Sequence, residues 1–399
     1  MKGRMQDGHR LRLLQGGGEL FPAMVRAVDA ARWQVHVETY ILVLANQALE
    51  VVEALERAAQ RGVEVRLVVD GIGTPQVPAA WRERLRQAGV QLRVYAPLGR
   101  LGLLIPSRWR RLHRKLCVVD GTVGFCGGIN LVDDLDDPAL GRLQHPRLDF
   151  ALQVIGPLVD DMQDTMEQLW QRMQAVRQVR QRQFRAAWRS LRGAWPDWAL
   201  AEEAGAVLPQ SAALLLRDNV QHRHDIERAY LRAIASARHD IVIANAYFIP
   251  GRRLRRALQH AVQRGVRVRL LVQGKYEHFL QYHAARPVQQ RLLQAGVEIH
   301  EYAPSALHAK VAVIDSRWAT VGSTNLDPLS LLLAREANVV STDRGFAHAL
   351  QQRLDHLMAT AGQPLDLQRL RQRPWHQRWR DAIAFATMRT VLFLTGHRY

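Results

Sequence analysis

The chain of 399 residues carries one structural unit twice, and this internal duplication limits its possible folds more than any other feature. Residues 29–97 and 235–304 follow the same order of apolar runs, charged stretches and glycines. Within these copies Tyr40 aligns with Tyr247. We therefore expect two related lobes.

Each copy alternates short Val/Ile/Leu runs with amphipathic segments of helical length. In the first copy VHVETYIL is followed by ALEVVEALERAAQRG and then by VEVRLVVDG. This alternation is typical of βαβα units, so the sequence predicts an α/β fold with two such lobes. The glycines that end the helical segments are candidate C-caps, namely Gly62, Gly89, Gly265 and Gly296.

The repeat divides the chain into four predicted segments. An N-terminal lobe is expected at residues 1–159 and a C-terminal lobe at 206–360. Residues 160–205 are predicted to form a basic helical connection, because the middle of this stretch has no acidic residue. Residues 361–399 are predicted to form a basic, amphipathic tail.

The charge indicates a polyanionic partner. Lys plus Arg number 55 and Asp plus Glu number 37, which gives a net charge of +18 and a pI of about 11.0. Nucleic acid and an anionic membrane surface both fit such a balance. Charge alone does not choose between them.

The cysteines and the apolar runs bear on the compartment. Cys117 and Cys126 have neither metal-site nor disulfide-framework spacing, and we expect buried free thiols in a reduced, cytoplasmic setting. No signal-peptide pattern and no apolar run long enough to span a bilayer is found. If a membrane is involved, the sequence predicts a peripheral protein.

Each copy closes with the same pattern of chemically active residues. The first copy has His113, Lys115, Asp120, Gly128 and Asn130, and the second has His308, Lys310, Asp315, Ser323 and Asn325. Residues two apart in a strand face the same side, so each H-x-K presents an imidazole beside an ammonium. The repetition makes this pattern more specific than either copy alone.

This residue set suits phosphoryl transfer. The charge that develops on phosphate oxygens needs fixed cations and donors. The chain has only four lysines, and two of them stand here, where a compact point charge is more suitable than an Arg fork. The glycine segments are predicted to bind the phosphate, through Gly128 and Asn130 in the first copy and Ser323 and Asn325 in the second.

Two such motifs would supply two histidines to one site between the lobes. One imidazole can attack phosphorus and form a phosphohistidine, while the other protonates the leaving oxygen. Each Nδ1–H then needs an acceptor, normally a carboxylate. Asp149 and Glu336 each precede an apolar strand-like run in equivalent places, although they could also be simple strand-edge charges.

The duplicated HxKxxxxD, followed by GGxN and GSxN, resembles the phospholipase D superfamily. The segments HRKLCVVDGTVGFCGGIN and GSTNLDPLSLLLAREANVV are similar, more narrowly, to the bacterial cardiolipin synthase B type. The resemblance extends from about residue 20 to residue 345. It implies two pseudo-symmetric phospholipase D-like lobes, each with a mixed sheet flanked by helices, and one active site at their interface.

The resemblance also implies an activity. It implies phosphatidyl transfer from one phosphatidylglycerol to another, giving cardiolipin and glycerol, through a phosphohistidine and with no metal and no cofactor. It further implies that Asp149 and Glu336 orient the histidines, and that the motif aspartates Asp120 and Asp315 are mostly architectural. The first half has Gly128 where the second has Ser323, so it lacks one hydroxyl donor.

The substrate could instead be nucleic acid or another phosphodiester, as in a phospholipase D-type nuclease. The apolar loop at 98–112 and the tryptophans Trp375 and Trp379 favour a lipid interface, and no nucleic-acid partner is expected. The predicted location is the cytoplasmic face of a bacterial inner membrane. The C-terminal segment is expected to lie in that interface or, alternatively, to pack as a terminal helix. A noncatalytic binding module is a third class, which the two intact motifs disfavour.

Two further groups of polar residues have open interpretations. Glu38, which aligns with Asn245, could line the site or be an isolated inward polar group. A cluster after the third strand of the second copy could contact a headgroup or lie on an ordinary helix surface, and its members are Tyr276, His278, Tyr282, His283 and Arg286.

Overall fold

One mixed β-sheet runs through both halves of the chain. The computed structural model describes residues 3–97, 99, 109–137, 141–180, 210–218, 222–276, 279–327 and 334–394. Most of the predicted 98–112 loop, most of the predicted 160–205 connection and His278 lie outside the described residues.

The elements of the first half follow the predicted alternation. Its strands are β1 (Gln6–Gln15), β2 (Gln34–Thr39), β3 (Glu64–Asp70), β4 (Gln91–Tyr95), β5 (Arg111–Leu112), β6 (Lys115–Val119), β7 (Val123–Gly127), β8 (Asp136–Asp137), β9 (Gly141–Arg142) and β10 (Phe150–Ile155). Its helices are α1 (Gly16–Asp29), α2 (Asn46–Gln60), α3 (Ala79–Ala88) and α4 (Leu158–Arg180).

The second half repeats this order and then extends it. Its strands are β11 (Gln210–Arg217), β12 (Asp240–Asn245), β13 (Arg267–Gln273), β14 (Glu298–Tyr302), β15 (Lys310–Ile314), β16 (Trp318–Gly322), β17 (Ala334–Ser341) and β18 (Gly362–Pro364). Its helices are α5 (Asp225–Ser236), α6 (Arg252–Gln263), α7 (Phe279–Gln294), α8 (Arg344–Ala361), α9 (Leu367–Arg371) and α10 (Trp375–Leu394).

The two halves have the same arrangement of parallel and antiparallel strand pairs. The strand order is β18-β14-β13-β12-β15-β16-β17-β11-β1-β10-β7-β6-β2-β3-β4, and β5 pairs with β17 outside this path. In both halves three parallel strands, β2-β3-β4 and β12-β13-β14, adjoin a hairpin that carries the HxK motif. The α/β fold with mixed, helix-flanked sheets and a repeated unit is confirmed.

The two lobes share this sheet because their first strands pair with each other. β1 and β11 run antiparallel, with Gln6 opposite Ala212 and His9 opposite Gln210. A free first strand would leave a row of unpaired N–H and C=O groups at the edge of each lobe. Pairing removes both edges, so the predicted lobes are halves of one sheet.

A shared apolar core lies between the halves. Phe150 and Leu152 of β10 belong to the same buried cluster as Val311 and Val313 of β15. Met162 of α4 lies in this cluster too, although the predicted boundary placed residue 160 at the start of a connection. The beginning of α4 is therefore part of the folded first half.

All four predicted C-cap glycines have left-handed backbone conformations. Their φ angles are 91° at Gly62, 95° at Gly89, 84° at Gly265 and 90° at Gly296. A side chain strains this conformation, and glycine adopts it without cost from Cβ contacts. The predicted ends of these helices are confirmed.

The C-terminal segment is packed on one face, which differs from a free surface tail. β18 pairs with β14, and on α10 Ala384, Phe385 and Met388 are buried in the core of the second half. This agrees with the alternative of a packed terminal helix, whereas the Trp and Arg residues at the start of the segment had favoured an interfacial helix. Within the described residues, no helix is both long enough and apolar enough to cross a bilayer.

Candidate active site

Each motif histidine is held by the backbone of the opposite half. β5 pairs with β17, and the His113 N–H donates to the carbonyl of Arg335 at 3.0 Å. In the other direction, the His308 N–H donates to the carbonyl of Leu148 at 2.8 Å. In each half, the segment that leads into the HxK strand therefore binds the backbone of the other half. We call this arrangement the exchange between the halves.

The imidazoles bind carboxylates across the same boundary. His113 Nδ1 lies 3.0 Å and 3.1 Å from the two carboxylate oxygens of Glu336. His308 Nδ1 lies 2.6 Å from Oδ2 of Asp149. An ionised carboxylate accepts from Nδ1–H, which leaves the lone pair on Nε2 of a neutral ring. The structure thus brings all four predicted residues together, in two dyads that each join one half to the other.

Burial keeps both imidazoles predominantly neutral. Burial lowers the pKa of His113, although the charge of Glu336 opposes this shift. Burial also lowers the pKa of His308 well below its usual value of 6.5, and the ammonium groups of Lys310 and Lys115 add to the effect. A neutral ring with a free Nε2 is a nucleophile or a general base.

The motif lysines lie beneath the histidines. Lys115 Nζ donates to the carbonyl of His113 at 2.6 Å, and Lys310 Nζ donates to that of His308. Both side chains are buried. Burial lowers the pKa of Lys115 to about 7, against the opposing charge of Glu336. An anion that entered the site would stabilise this ammonium, so the lysine pair suits a phosphate.

The two orienting carboxylates differ in their ionisation. Burial raises the pKa of Asp149 to about 6, although Lys310 opposes the shift. Burial would also raise the pKa of Glu336, but its interaction with His113, the charge of Lys115 and a hydrogen bond from Ser323 hold it below its usual value. The two halves of the site are therefore electrostatically unequal.

The first half has Gly128 where the second half has Ser323, and this difference contributes to the unequal pKa values of the two carboxylates. The Ser323 hydroxyl donates to Glu336, and the Gly128 N–H donates to the carbonyl of Phe150 at 3.0 Å. A Cβ at residue 128 would lie 2.4 Å from Oδ1 of Asp149, so only glycine fits there unless the carboxylate moves. Ser323 and the Gly128 N–H, which are predicted to bind phosphate, thus both bind groups within the protein.

The motif asparagine of the first half supports a loop beside the site. Asn130 Oδ1 accepts the N–H of Ile41 at 3.2 Å, and both Asn130 and Asn325 are buried. The carboxamide oxygen of Asn130 thus holds the segment after β2. A phosphate role for these side chains stays a prediction.

The motif aspartates lie at the far ends of the HxK strands. Asp120 accepts three backbone N–H groups at 2.7–2.8 Å from the residues that lead into β2, including Trp33. Asp315 does the same at the start of β12, at 2.8–2.9 Å. Each stands across the full length of a five-residue strand from its histidine. The structure does not bring these two residues to the site with which the motif groups them, and their backbone contacts fit the architectural role that the resemblance implies.

Two residues at the site were not singled out by sequence. The Tyr40 ring lies edge-on to His113, with 4.8 Å between ring centroids, and Lys115 Nζ lies 5.5 Å from the Tyr40 ring. Asp70, at the end of β3, accepts the N–H of Leu112 at 2.7 Å and so fixes the approach to His113. The alignment of Tyr40 with Tyr247 was the available signal for the first of them.

Glu38 has a structural partner next to the motif. Its carboxylate forms a buried ion pair with Arg114, which lies between His113 and Lys115 and points away from them. In the second half Ala309 replaces the arginine, and Asn245 hydrogen-bonds the backbone N–H of Leu326 at 3.2 Å. Glu38 therefore supports the HxK strand and does not line the site.

His283, from the cluster that could contact a headgroup or lie on a helix surface, binds the C-terminal helix. His283 Nδ1 lies 2.6 Å from Oδ1 of Asp381, and Arg373 donates to the other oxygen at 2.8 Å. Arg286 pairs with Glu301 at 2.5 Å. His283 and Arg286 are thus buried and bind groups within the protein, which fits neither a headgroup contact nor an ordinary helix surface, whereas Tyr276 is half exposed.

Comparison with known proteins agrees with this geometry. The family described as "Cardiolipin synthase, PLD-like domain" matches residues 24–134 and 230–358, which carry the two motifs. Cardiolipin synthase B of Escherichia coli (strain K12) is 36% identical over 397 residues, which cover 99% of this chain and 92% of that protein. A cardiolipin synthase A of Pseudomonas putida is 32% identical, over 91% of this chain and 72% of that protein.

Solved structures show the same fold at low identity. The crystal structure of phosphatidylserine synthase from Haemophilus influenzae has a TM-score of 0.67 at 13% identity and covers 96% of this chain and 94% of its own. The fold, the two dyads formed between the halves and the similarity over nearly the whole chain all indicate the same family. This chain, with its two PLD-like domains, belongs to the cardiolipin synthase family.

Proposed function

We propose that this protein is a phosphatidyltransferase that makes cardiolipin and glycerol from two molecules of phosphatidylglycerol. The observation that carries the proposal is the pair of exchanged dyads, in which His113 meets Glu336 and His308 meets Asp149. They provide two oriented imidazoles above two buried lysines. The similarity to cardiolipin synthase B of Escherichia coli (strain K12) and to a cardiolipin synthase A of Pseudomonas putida supports the choice of substrate.

In the first step one imidazole acts on the donor lipid. Its Nε2 forms a bond to phosphorus, and the bond from phosphorus to the glycerol headgroup oxygen breaks. The other histidine, protonated in the bound complex, gives its proton to that oxygen, and free glycerol leaves. The product is a phosphatidyl group on histidine. The adjacent carboxylate keeps the attacking ring in the tautomer that exposes Nε2.

The second step reverses the proton transfer. The terminal hydroxyl of a second phosphatidylglycerol gives its proton to the now neutral imidazole, and its oxygen forms a bond to phosphorus. The bond from Nε2 to phosphorus breaks, which releases cardiolipin and restores both histidines. Lys115 and Lys310 stabilise the charge on the phosphate oxygens in both steps.

The proposed location is the cytoplasmic face of a bacterial inner membrane, with the enzyme lying on the surface. Both proposed substrates are bilayer lipids with anionic headgroups. The net charge of +18 favours such a surface. The two cysteines are buried free thiols, as expected in a reduced compartment.

Labelled phosphatidylglycerol tests the proposal. The protein should release glycerol and form cardiolipin, and His113→Ala and His308→Ala should each remove this activity. The double variant should be scarcely worse than either single variant, because the two groups act as one unit. His260→Ala, on the exposed side of α6, is the matched control and should be fully active.

The same assay distinguishes the alternative substrate. Cleavage of DNA that depends on both histidines, without any cardiolipin formed, would replace the lipid proposal with the nuclease. A single variant that keeps more than about a tenth of the activity, the scale of one modest acid-base contribution, would contradict the shared site.

A further inference from the structure

Large exposed apolar side chains are concentrated on one side of the protein, where β3 and β13 end and where the histidines lie. We call this side the histidine edge of the sheet. Ten such side chains in the described residues are at least 38% exposed. Six of them, which we call the apolar rim, are Ile72, Tyr276, Phe279, Trp375, Trp379 and Ile383. Hydrogen bonds connect the ends of β3 and β13, which lead into Ile72 and Tyr276, to the residues before His113 and His308.

In the first half the rim is tied to His113. Asp70 ends β3, and one of its carboxylate oxygens accepts the N–H of Leu112, the residue before His113. Its other oxygen accepts the N–H of Ile72 at 2.7 Å. One side chain therefore fixes both the approach to the histidine and the turn that exposes Ile72.

In the second half the corresponding position is tied to His308. Gln273 ends β13, and its carboxamide oxygen accepts the N–H of Leu307, the residue before His308, at 3.2 Å. The chain then continues into a segment that holds Tyr276 and Phe279, both 51% exposed. The two halves thus expose apolar groups at equivalent places beside their histidines.

Helix α10 extends this surface. The contact between Asp381 and His283 holds the first half of α10 beside the start of α7, which begins at Phe279. Trp375, Trp379 and Ile383 are spaced four residues apart and form an exposed stripe on this helix. Since Ala384, Phe385 and Met388 fill the packed side, the stripe is not needed for the core.

We propose that the apolar rim docks into the headgroup region of an anionic lipid bilayer, so that both catalytic dyads face the membrane. This inference rests on the proposed function, because a lipid phosphodiester must reach the histidines from the bilayer. Trp and Tyr favour the boundary between headgroups and acyl chains. Arg378 and Arg380, exposed on α10 beside the stripe, match the negative charge of the surface.

The opposite ends of these strands, where β2 and β12 begin, do not carry such a surface in the described residues. There Asp120 and Asp315 bind the backbone at the starts of β2 and β12. Trp33 is 68% exposed at those ends, more than Tyr276 or Phe279. Trp33 is therefore a matched control: it is an exposed aromatic side chain on the side that the proposal turns away from the membrane.

Sedimentation with vesicles of equal parts phosphatidylglycerol and phosphatidylcholine tests the docking. The double variant Trp375→Ser/Trp379→Ser and, independently, Ile72→Ser/Tyr276→Ser should each weaken vesicle binding about tenfold, because apolar burial is lost. Trp33→Ser should bind as the wild type does. Thermal unfolding of each variant shows that it is folded before its binding is measured.

Brominated lipids give a second readout that needs no loss of binding. Because only tryptophans at the bilayer are quenched, Trp379→Phe should reduce the quenched fraction of the fluorescence and Trp33→Phe should not. The reverse pattern, or equal loss of binding in Trp33→Ser and the rim variants, would overturn the inference. So would rim variants that bind vesicles like the wild type.

A soluble substrate separates this inference from the proposed function. Dihexanoyl phosphatidylglycerol, kept below its micelle concentration, reaches the histidines without a membrane. For the rim variants the ratio of vesicle turnover to soluble turnover should fall about tenfold, in parallel with binding. A wild-type protein that docks through the rim but forms no cardiolipin from either substrate would contradict the proposed function and leave the docking face intact.

Discussion

His113 and Glu336 stand 223 positions apart in sequence, yet the imidazole of one binds the carboxylate of the other at 3.0 Å. Asp149, which is much nearer to His113 in sequence, binds His308 instead. The active site therefore depends on the exchange between halves and not only on their proximity.

The exchange predicts which substitution affects which histidine. Glu336→Gln should move the Nδ1–H proton resonance of His113 and leave that of His308 in place, and Asp149→Asn should do the reverse. Each variant should also lose about 100-fold or more in kcat, because the ring loses its ionised acceptor. Proton NMR of the two variants is the measurement, and a change confined to the histidine of the same half would contradict the structure.

The close approach at Gly128 predicts a strong effect from one added hydroxymethyl group. Gly128→Ser places a Cβ 2.4 Å from Asp149, so the carboxylate must move away from His308. We expect kcat to fall between about 10-fold and 100-fold, the usual range for a disturbed supporting carboxylate. Gly18→Ser is the control, because a Cβ at that position meets no atom within 4 Å beyond its chain neighbours and the backbone of its own helix. Equal kcat for both variants would show that Asp149 adapts freely.

The buried ionisable groups predict a narrow, bell-shaped pH dependence of kcat/KM on a soluble substrate. Asp149 must be ionised to accept from His308, and its pKa of about 6 removes activity as the pH falls through that value. Lys115 must be charged to bind phosphate, and its pKa of about 7 removes activity as the pH rises. Activity should therefore peak between these limits.

Lys115→Arg identifies the group behind the alkaline limb. Arginine stays charged in this range. In the activity that the variant retains, the pH at which kcat/KM falls on the alkaline side should therefore rise by at least about one unit. The acidic limb should not move, because Asp149 is unchanged. An alkaline limb that coincides with that of the wild type would assign it to another group.

Asp381 is expected to matter for stability because it joins α10 to the second half. Asp381→Ala leaves the Arg373 guanidinium and the His283 ring without their carboxylate partner, and removal of one partner from a buried pair typically costs about 3 kcal/mol. Arg380→Ala, on the exposed face of the same helix, should change the free energy of unfolding by less than about 0.5 kcal/mol. Urea unfolding compares the two, and equal midpoints would mean that α10 is only loosely attached.

The packing of α10 also changes what a truncation should do. A free tail could be removed without effect on a soluble substrate, but removal of residues 375–399 takes away Phe385 and Met388 from the core. Turnover on soluble and vesicle substrates should therefore both fall. Point substitutions on the exposed stripe are the sharper test of membrane contact.

The repeat made much of the fold predictable. Local alternation of apolar runs and helical segments is a short-range property, so β2-α2-β3-α3-β4 and its second copy could be read from the sequence. The doubled motif likewise identified His113, His308 and their lysines. The join between β1 and β11 was not predictable in this way, because nothing in either strand indicates its distant partner.

The details of the site needed the three-dimensional arrangement. The equivalent positions of Asp149 and Glu336 indicated a shared role, but not the exchange between halves. The change from Ser323 to Gly128 was visible in sequence, whereas its cause, the nearness of Asp149, was not. For α10, the abundance of Arg and Trp obscured the single inward carboxylate of Asp381.

The exchange of partners also has a consequence during protein synthesis. When the codon for His113 has just been translated, the codon for Glu336 is still 223 residues away, about 10 to 45 s at ordinary elongation rates. Until then the first half has an imidazole without its acceptor, and Asp149 has no imidazole to orient. A chain that stops before Glu336 therefore lacks the acceptor of His113, and the complete pair of dyads can form only late in synthesis.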